Sequence, residues 1–203
     1  PEDVELYWEA YMAGARHIEV QVFGDTHGNV RPYGLRECSV QRRFQKLIEE
    51  CPAPGVEAEA LAGKVAQAVG YRSVGTVEFL WSADTGPLVL EMNTRLQVEH
   101  PVTELVVGYD LVKEQIMVAL GKPLSFKQED VKQKGHAIEL RICAEDPVTF
   151  TPNPGKIRKY RMPAGPFVRV DNCAYPGYEV PIYYDPMIAK LIVWPPTRSE
   201  CIQ

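Results

Sequence analysis

The chain has 203 residues, 45% hydrophobic and 24% charged, with a formal net charge of −5. That composition supports a substantial apolar core, and an acidic balance without a basic tract argues against nucleic acid as a partner. No apolar run approaches the roughly 18 residues a membrane helix needs, no secretory leader opens the chain, and five scattered cysteines without a C-x-x-C pair indicate reduced thiols in a cytoplasmic setting rather than a disulfide framework or a zinc site.

In chain order, residues 16–24 and 29–33 read as two strands around the turn former Asp25-Thr-His-Gly-Asn29. Residues 39–50 are basic and mixed, and end at the rigid loop Cys51-Pro-Ala-Pro-Gly55. Glu57 to Val69 has helical spacing, with Leu61, Val65 and Ala68 on one side. Two β-branched and apolar runs, Gly75–Trp81 and Leu88–Met92, flank the turn Ser82-Ala-Asp-Thr-Gly-Pro87 and predict a hairpin over 75–93. Thr103 is a candidate cap for a short helix, and Asp110 for a stronger one over Leu111–Leu120, stopped by Gly121-Lys-Pro123. After about residue 130 the texture changes to short strands with many Pro and Gly, the sign of a second module packed beneath the first.

The chemistry concentrates in Glu91-Met-Asn-Thr-Arg-Leu-Gln-Val-Glu-His-Pro101. In an extended segment alternate side chains leave on one face, so Glu91, Asn93, Arg95, Gln97 and Glu99 project together until His100-Pro101 ends the strand. If Trp81 stands opposite Leu88 in the hairpin, Glu78 stands opposite Glu91. Like charges about 5 Å apart destabilise a ladder unless something positive lies between them. Two carboxylates and the Asn93 amide are hard oxygen donors that suit Mg²⁺ or Mn²⁺. A register one residue off would instead separate the glutamates and leave two surface charges. Taken singly, Glu99 reads as a turn cap, Arg141 as a salt-bridge residue on a half-polar strand, and His17 as a strand histidine; the joint pattern lifts them above that.

Glu78, Glu91, Asn93 and the phrase EMNTRLQVEHPVTE (Glu91 to Glu104) resemble the metal and active-site segment of biotin carboxylases. The resemblance continues through ARHIEVQVFGD (Ala15 to Asp25), ECSVQRRFQKLIEE (Glu37 to Glu50), GYRSVGTVEFL (Gly70 to Leu80), GHAIELRICAEDP (Gly135 to Pro147) and YYDPMIAKL (Tyr183 to Leu191). It implies an α+β fold. The second half of an ATP-grasp domain, an antiparallel sheet with flanking helices, would occupy residues 1–129, and the start of a biotin carboxylase C-terminal domain residues 130–203. It also implies a ligase that makes carboxyphosphate from ATP and bicarbonate and carboxylates biotin on a carrier protein or domain, with a carboxyltransferase as the later partner and a homodimer as the usual assembly.

By the same resemblance Glu78, Glu91 and Asn93 hold the metal, and Lys46 adds charge near the γ-phosphate. Arg95, Gln97 and the Val98 backbone position bicarbonate, Glu99 is the general base, and Arg141 faces the biotin oxygen. His17 and Gln41 reach the ribose, and Glu9 and Leu80 line the adenine site. The chain departs from the family at Ala10, where a Lys is usual, at Leu35, where a Glu is usual, and at Phe44, where a His is common. A lost polar hinge contact costs nucleotide binding about 1–2 kcal/mol. A full biotin carboxylase is roughly twice as long and carries a Rossmann-like domain and a Gly-rich lid upstream, so one lobe alone is expected to be poorly active. The expected parent is an acyl-CoA carboxylase, in the cytoplasm or, for a eukaryotic parent, the mitochondrial matrix. The alternatives are a non-catalytic interaction or regulatory module of the same family and the biotin carboxylase part of a pyruvate or urea carboxylase.

Overall fold

The computed structural model describes residues 6–203. Strand β1 (Arg16–Gly24) pairs antiparallel with β2 (Val30–Arg42) on one side and with β4 (Ser73–Ser82) on the other. β2 turns tightly at Arg43-Phe44 into β3 (Gln45–Cys51), so the second strand runs well past residue 33 and the mixed stretch 39–50 is a hairpin. β4 continues into β5 (Gly86–Asn93). Beyond residue 130, β6 (Ala137–Cys143), β8 (Val168–Asn172) and β10 (Met187–Val193) extend the same sheet, while β7 (Gly155–Lys156) and β9 (Glu179–Val180) form a separate two-stranded pair. The resulting order is β5-β4-β1-β2-β3-β6-β10-β8, joined at its centre by β3 against β6. The C-terminal strands therefore meet the rest edge to edge in one sheet rather than lying beneath it.

Helix α1 (Glu59–Ala68) covers one face. Period-two alternation sends Ile18, Val20 and Val22 of β1 to that face, where they pack with Leu35, Val77, Phe79, Ala62 and Ala66. Leu61 and Val65 pack at the edge of this cluster, but Ala68 is exposed; Ala62, Gly63 and Ala66 are the buried stripe. The opposite face of β1 carries His17, Glu19 and Gln21. It is closed by the segment 94–99, by α2 (His100–Val107) and by α3 (Leu111–Ala119). Asp110 caps α3 as expected, its carboxylate accepting from the Lys113 N–H at 2.8 Å. Thr103 is no cap: α2 begins at His100 with Pro101 in its first turn, where a missing N–H costs nothing, and Thr103 lies fully buried inside it.

Two bulges aim the polar residues. Between Val20 and Gln21 of β1 the register gains one residue on β2, Gly34, at φ +67°. Tyr33 and Leu35, two apart in sequence, therefore leave on opposite faces, Tyr33 with Phe23 and Phe126, Leu35 with the α1 cluster. Arg36 consequently points into the polar face. A Cβ at Gly34 would lie 2.4 Å from Thr103 Cγ2. Gly34→Ala is thus expected to cost about 1–3 kcal/mol, from strain and overpacking together, read as a lowered denaturation midpoint at unchanged slope.

The second bulge, in β5, corrects a register. Trp81 pairs with Pro87 and Leu80 with Leu88, one residue off the expected pairing, yet an extra residue at Leu90 restores Glu78 opposite Glu91. The polar run does not stay extended to Glu99. β5 stops at Asn93 and 94–99 is a loop, whose curvature turns Gln97 and Glu99 inward and leaves Arg95 exposed.

Candidate active site

At the centre of the polar face, Arg36 is wholly buried. Its guanidinium donates to Glu19 Oε2 (3.1 Å), Gln21 Oε1 (2.8 Å), Thr103 Oγ1 (3.0 Å), Thr76 Oγ1 (3.1 Å) and Gln97 Oε1 (2.8 Å). One side chain thus ties β1, β2, β4, the 94–99 loop and α2 together through charge-assisted hydrogen bonds. Burial alone would raise the Glu19 carboxyl. Arg36, His17 and Lys46 outweigh it and hold Glu19 well below the ordinary carboxylate range.

Lys46, on β3, contacts Glu19 and also donates to Glu99 Oε1 at 2.9 Å and Glu78 Oε1 at 3.1 Å. Burial disfavours its charge, but Glu19 and Glu99 together raise its pKa. Glu99 is held from the other side by Arg141 Nη2 (3.0 Å), whose Nε donates to Glu49 Oε1 (2.6 Å). Glu99 is therefore a buried carboxylate gripped between an ammonium and a guanidinium. The carbonyl of its neighbour Val98 accepts from Lys190 Nζ at 2.8 Å, which pins the loop.

His17 Nε2 lies 2.9 Å from Glu78 Oε2 and 3.3 Å from Glu19 Oε1, close ion pairs off the line of the ring N–H. Burial pulls its pKa down, yet the two carboxylates prevail and push it up to about 9. Burial and the Glu19 charge both raise Glu78, but His17 and Lys46 outweigh them and depress it. Glu78, opposite Glu91, thus has positive neighbours on its inner side.

Asn93 Nδ2 stands 2.9 Å from Glu78 Oε1 and 3.0 Å from Glu91 Oε1. The three head groups converge across the β4–β5 ladder at the mouth of the site, where the Asn93 N–H groups donate to both carboxylates. With the amide turned to present Oδ1 they would form a hard-oxygen set of the kind that fits a divalent cation such as Mg²⁺. Among the described residues, two other groups bring donor atoms within 4.8 Å of one another: His17, Glu19 and Glu78, and Glu19, Cys38 and Glu99. The first offers a protonated imidazole at neutral pH, and the second a thiol whose pKa burial raises. Neither suits a metal as well as Glu78, Glu91 and Asn93.

These residues open into a cleft of about 440 Å³. The cleft brings together His17, Gln41, Lys46, Glu78, Glu91, Asn93, Arg95, Gln97, Val98, Glu99 and Arg141, all singled out in the sequence. Glu9 is exposed and Leu80 half-buried, and both fall outside the lining, although Leu80 is the cross-strand partner of His17. Among the described residues Arg95 makes one weak bond, to the Leu96 carbonyl at 3.3 Å, and its side chain lines the cleft.

Comparison with known proteins gives the family. Residues 2–127 match the carbamoyl-phosphate synthase L chain, ATP binding domain family, and residues 139–203 the biotin carboxylase C-terminal domain family. The chain belongs to the biotin carboxylase family. It is 52% identical to the biotin carboxylase of Haemophilus influenzae over 98% of its own length and 45% of that protein. It is 54% identical to one of the pyruvate carboxylase subunits of Methanothermobacter thermautotrophicus, over 98% of this chain and 42% of that one. A Campylobacter jejuni biotin carboxylase–β,γ-ATP complex superposes with a TM-score of 0.92 at 50% identity, covering 96% of this chain and 45% of the other. The biotin carboxylase domain dimer of Hydrogenobacter thermophilus 2-oxoglutarate carboxylase, in complex with MgADP, ADP and bicarbonate, superposes with a TM-score of 0.92 at 45% identity, over 95% and 44%. The chain thus spans less than half the length of these relatives.

The departures from the family pattern fall in different places. Leu35 is buried in the α1 cluster, where an apolar side chain is at home, and it does not reach the cleft. Phe44 sits at the β2–β3 turn, 99% exposed, on the cleft rim. Ala10 is exposed outside the lining. Sequence reasoning missed Arg36 and Glu19, which organise the site, and Arg43, Gln45 and Asp185, which line it. Gln45 Nε2 donates to Asp185 at 2.5 Å across the rim.

Proposed function

We propose that this chain carries the bicarbonate- and biotin-handling half of an ATP-dependent biotin carboxylation site. The observation that carries the reading is Glu99, buried between Lys46 and Arg141 beside Gln97 and the Arg95 fork, which has no carboxylate partner among the described residues. A planar anion such as bicarbonate meets a guanidinium fork in two parallel hydrogen bonds. Held by Arg95, the Gln97 amide and the Val98 backbone, it presents its hydroxyl to Glu99, which takes the proton. Lys46, already amid carboxylates, is placed to neutralise the γ-phosphate that the bicarbonate oxygen attacks, giving carboxyphosphate and ADP. Carboxyphosphate breaks into CO₂ and phosphate. The phosphate takes the N1 proton of biotin, and Arg141 stabilises the resulting negative ureido oxygen while N1 adds to CO₂.

Glu78, Glu91 and Asn93 would hold Mg²⁺ or Mn²⁺, which when bound neutralises charge on the nucleotide phosphates. His17 and Gln41, at the same end of the cleft, would meet the ribose hydroxyls, with Leu80 and Glu9 assigned to the adenine side. The nucleotide and bicarbonate seen with the Hydrogenobacter protein support this assignment of substrates. The carrier would be a biotinylated protein or domain and the onward partner a carboxyltransferase. The dimer of that relative supports a homodimer. An acyl-CoA carboxylase is the parent proposed, and a pyruvate carboxylase is the second reading, favoured by the 54% identity to part of one.

The test is ADP release from MgATP with free biotin, with and without bicarbonate. It is run on this chain alone and mixed with the N-terminal half of a related biotin carboxylase. Bicarbonate-dependent release on mixing is expected. A mixture that stays silent although both parts are folded and associated contradicts the reading.

A further inference from the structure

Behind Arg141 lies a pair of acids that the proposed reaction does not use. Glu49 of β3 and Glu139 of β6 are direct cross-strand partners, and both are fully buried. Opposed residues in an antiparallel ladder put their side chains about 5 Å apart. Glu49 Oε1 accepts from Arg141 Nε, but its Oε2 and both oxygens of Glu139 have no hydrogen-bond partner among the described residues. Two buried carboxylates in direct opposition, served by one guanidinium that also serves Glu99, are not a stable charge arrangement. Lys190 on β10 faces them, but its ammonium is committed to the Val98 carbonyl at 2.8 Å and to Asp171 at 3.5 Å. The remaining charges facing the pair are Glu99, from the turn before α2, and Glu19, from β1, both negative.

We propose that Glu49 and Glu139 hold one proton between them and act together as a buried positioning device for Arg141. Glu139 carries the proton; Glu49, which gives up its own proton first, is the anion that above about pH 7 holds the guanidinium at the angle from which Nη2 reaches Glu99. Like carboxyls at close range cannot both ionise cheaply, and a neutral Glu139 can donate its O–H to the open Glu49 oxygen. Burial pushes Glu139 up to about 9 and Glu49 up to about 7, against the pull of Lys190 and Arg141 respectively. Both folded values exceed that of an unfolded glutamate. Their contribution to stability is therefore intact below the unfolded value and is lost as pH rises through about 7 and about 9.

The test uses the whole chain and needs no turnover. At neutral pH the infrared spectrum of the wild type is expected to show a protonated carboxyl C=O band that vanishes in Glu139→Gln. The Arg141 Nε–H resonance, marked by its short bond to Glu49, should move over the pH range in which the band fades. It should stay fixed in Glu139→Gln, whose amide mimics the protonated acid. The unfolding free energy of the wild type should fall from neutral to alkaline pH more steeply than that of Glu139→Gln. Glu49→Gln is the second variant, expected to displace the fading of the band to lower pH because Glu139 then faces no anion. A wild type without the band at neutral pH overturns the proposal. So does a band and a resonance that behave alike in the wild type and both variants.

Discussion

Replacing Arg36 by methionine is expected to cost about 3–5 kcal/mol of unfolding free energy, the size seen when one member of a buried ion pair is removed. Methionine fills much of the volume but returns none of the five hydrogen bonds, so Glu19, Gln21, Thr76, Thr103 and Gln97, all buried, each lose a donor. Stabilities of single domains are about 5–15 kcal/mol, so the variant should stand at or near the edge of folding. Arg36→Lys restores the charge but not the fork, and should recover only part of the loss. Chemical denaturation of the three proteins checks the order. If Arg36→Met unfolds within about 1 kcal/mol of the wild type, well inside the penalty cited, Arg36 is not the tie described.

The second large effect concerns turnover. Glu99→Gln keeps the shape of the side chain while removing the charge proposed to accept the proton, so bicarbonate-dependent ADP release in the mixed system should fall about 10²–10⁴-fold, the usual worth of a positioned general base. The fold should survive. Lys46 retains Glu19 and Glu78, and Arg141 retains Glu49. Nucleotide-dependent steps that need no bicarbonate should be unaffected, which separates loss of the base from collapse of the cleft. A variant that keeps turnover within a few-fold of the wild type removes Glu99 from the role.

The sequence shows much of this site because its polar residues come in strand and near-strand spacing. Glu78 opposite Glu91 follows from two apolar runs around one turn, although the pairing survives only because Leu90 bulges out and cancels a one-residue slip. The alternation from Glu91 to Glu99 suggests one long strand, yet its last part is a loop. A polar alternation says which side chains gather, not whether the backbone between them is hydrogen-bonded to a neighbour. His100-Pro101 reads as a stop because proline ends strands, whereas here it starts a helix, where proline is equally welcome. Thr103 suits a cap by residue type, and only the tertiary fold shows it buried against Arg36.

Glu19 and Arg36 look like ordinary polar positions in half-exposed strands. Nothing local announces that both faces of β1 are covered, one by α1 and the other by the segment after β5. Gly34 is the single hint, since a glycine within a strand marks a bulge or a close approach, and here it does both. The C-terminal strands are legible as short strands with many turns, but their junction to the rest is a long-range pairing of β3 with β6. No spacing in the sequence points to it.

The most direct measurement follows the oxygen of bicarbonate. With oxygen-labelled bicarbonate, MgATP and biotin in the mixed system, attack of bicarbonate on the γ-phosphate predicts that label appears in the inorganic phosphate released, and that Glu99→Gln abolishes this transfer. Phosphate released at the same rate without label would mean that water, not bicarbonate, is the nucleophile, and would contradict the assignment of Arg95, Gln97 and Glu99 to a bicarbonate site.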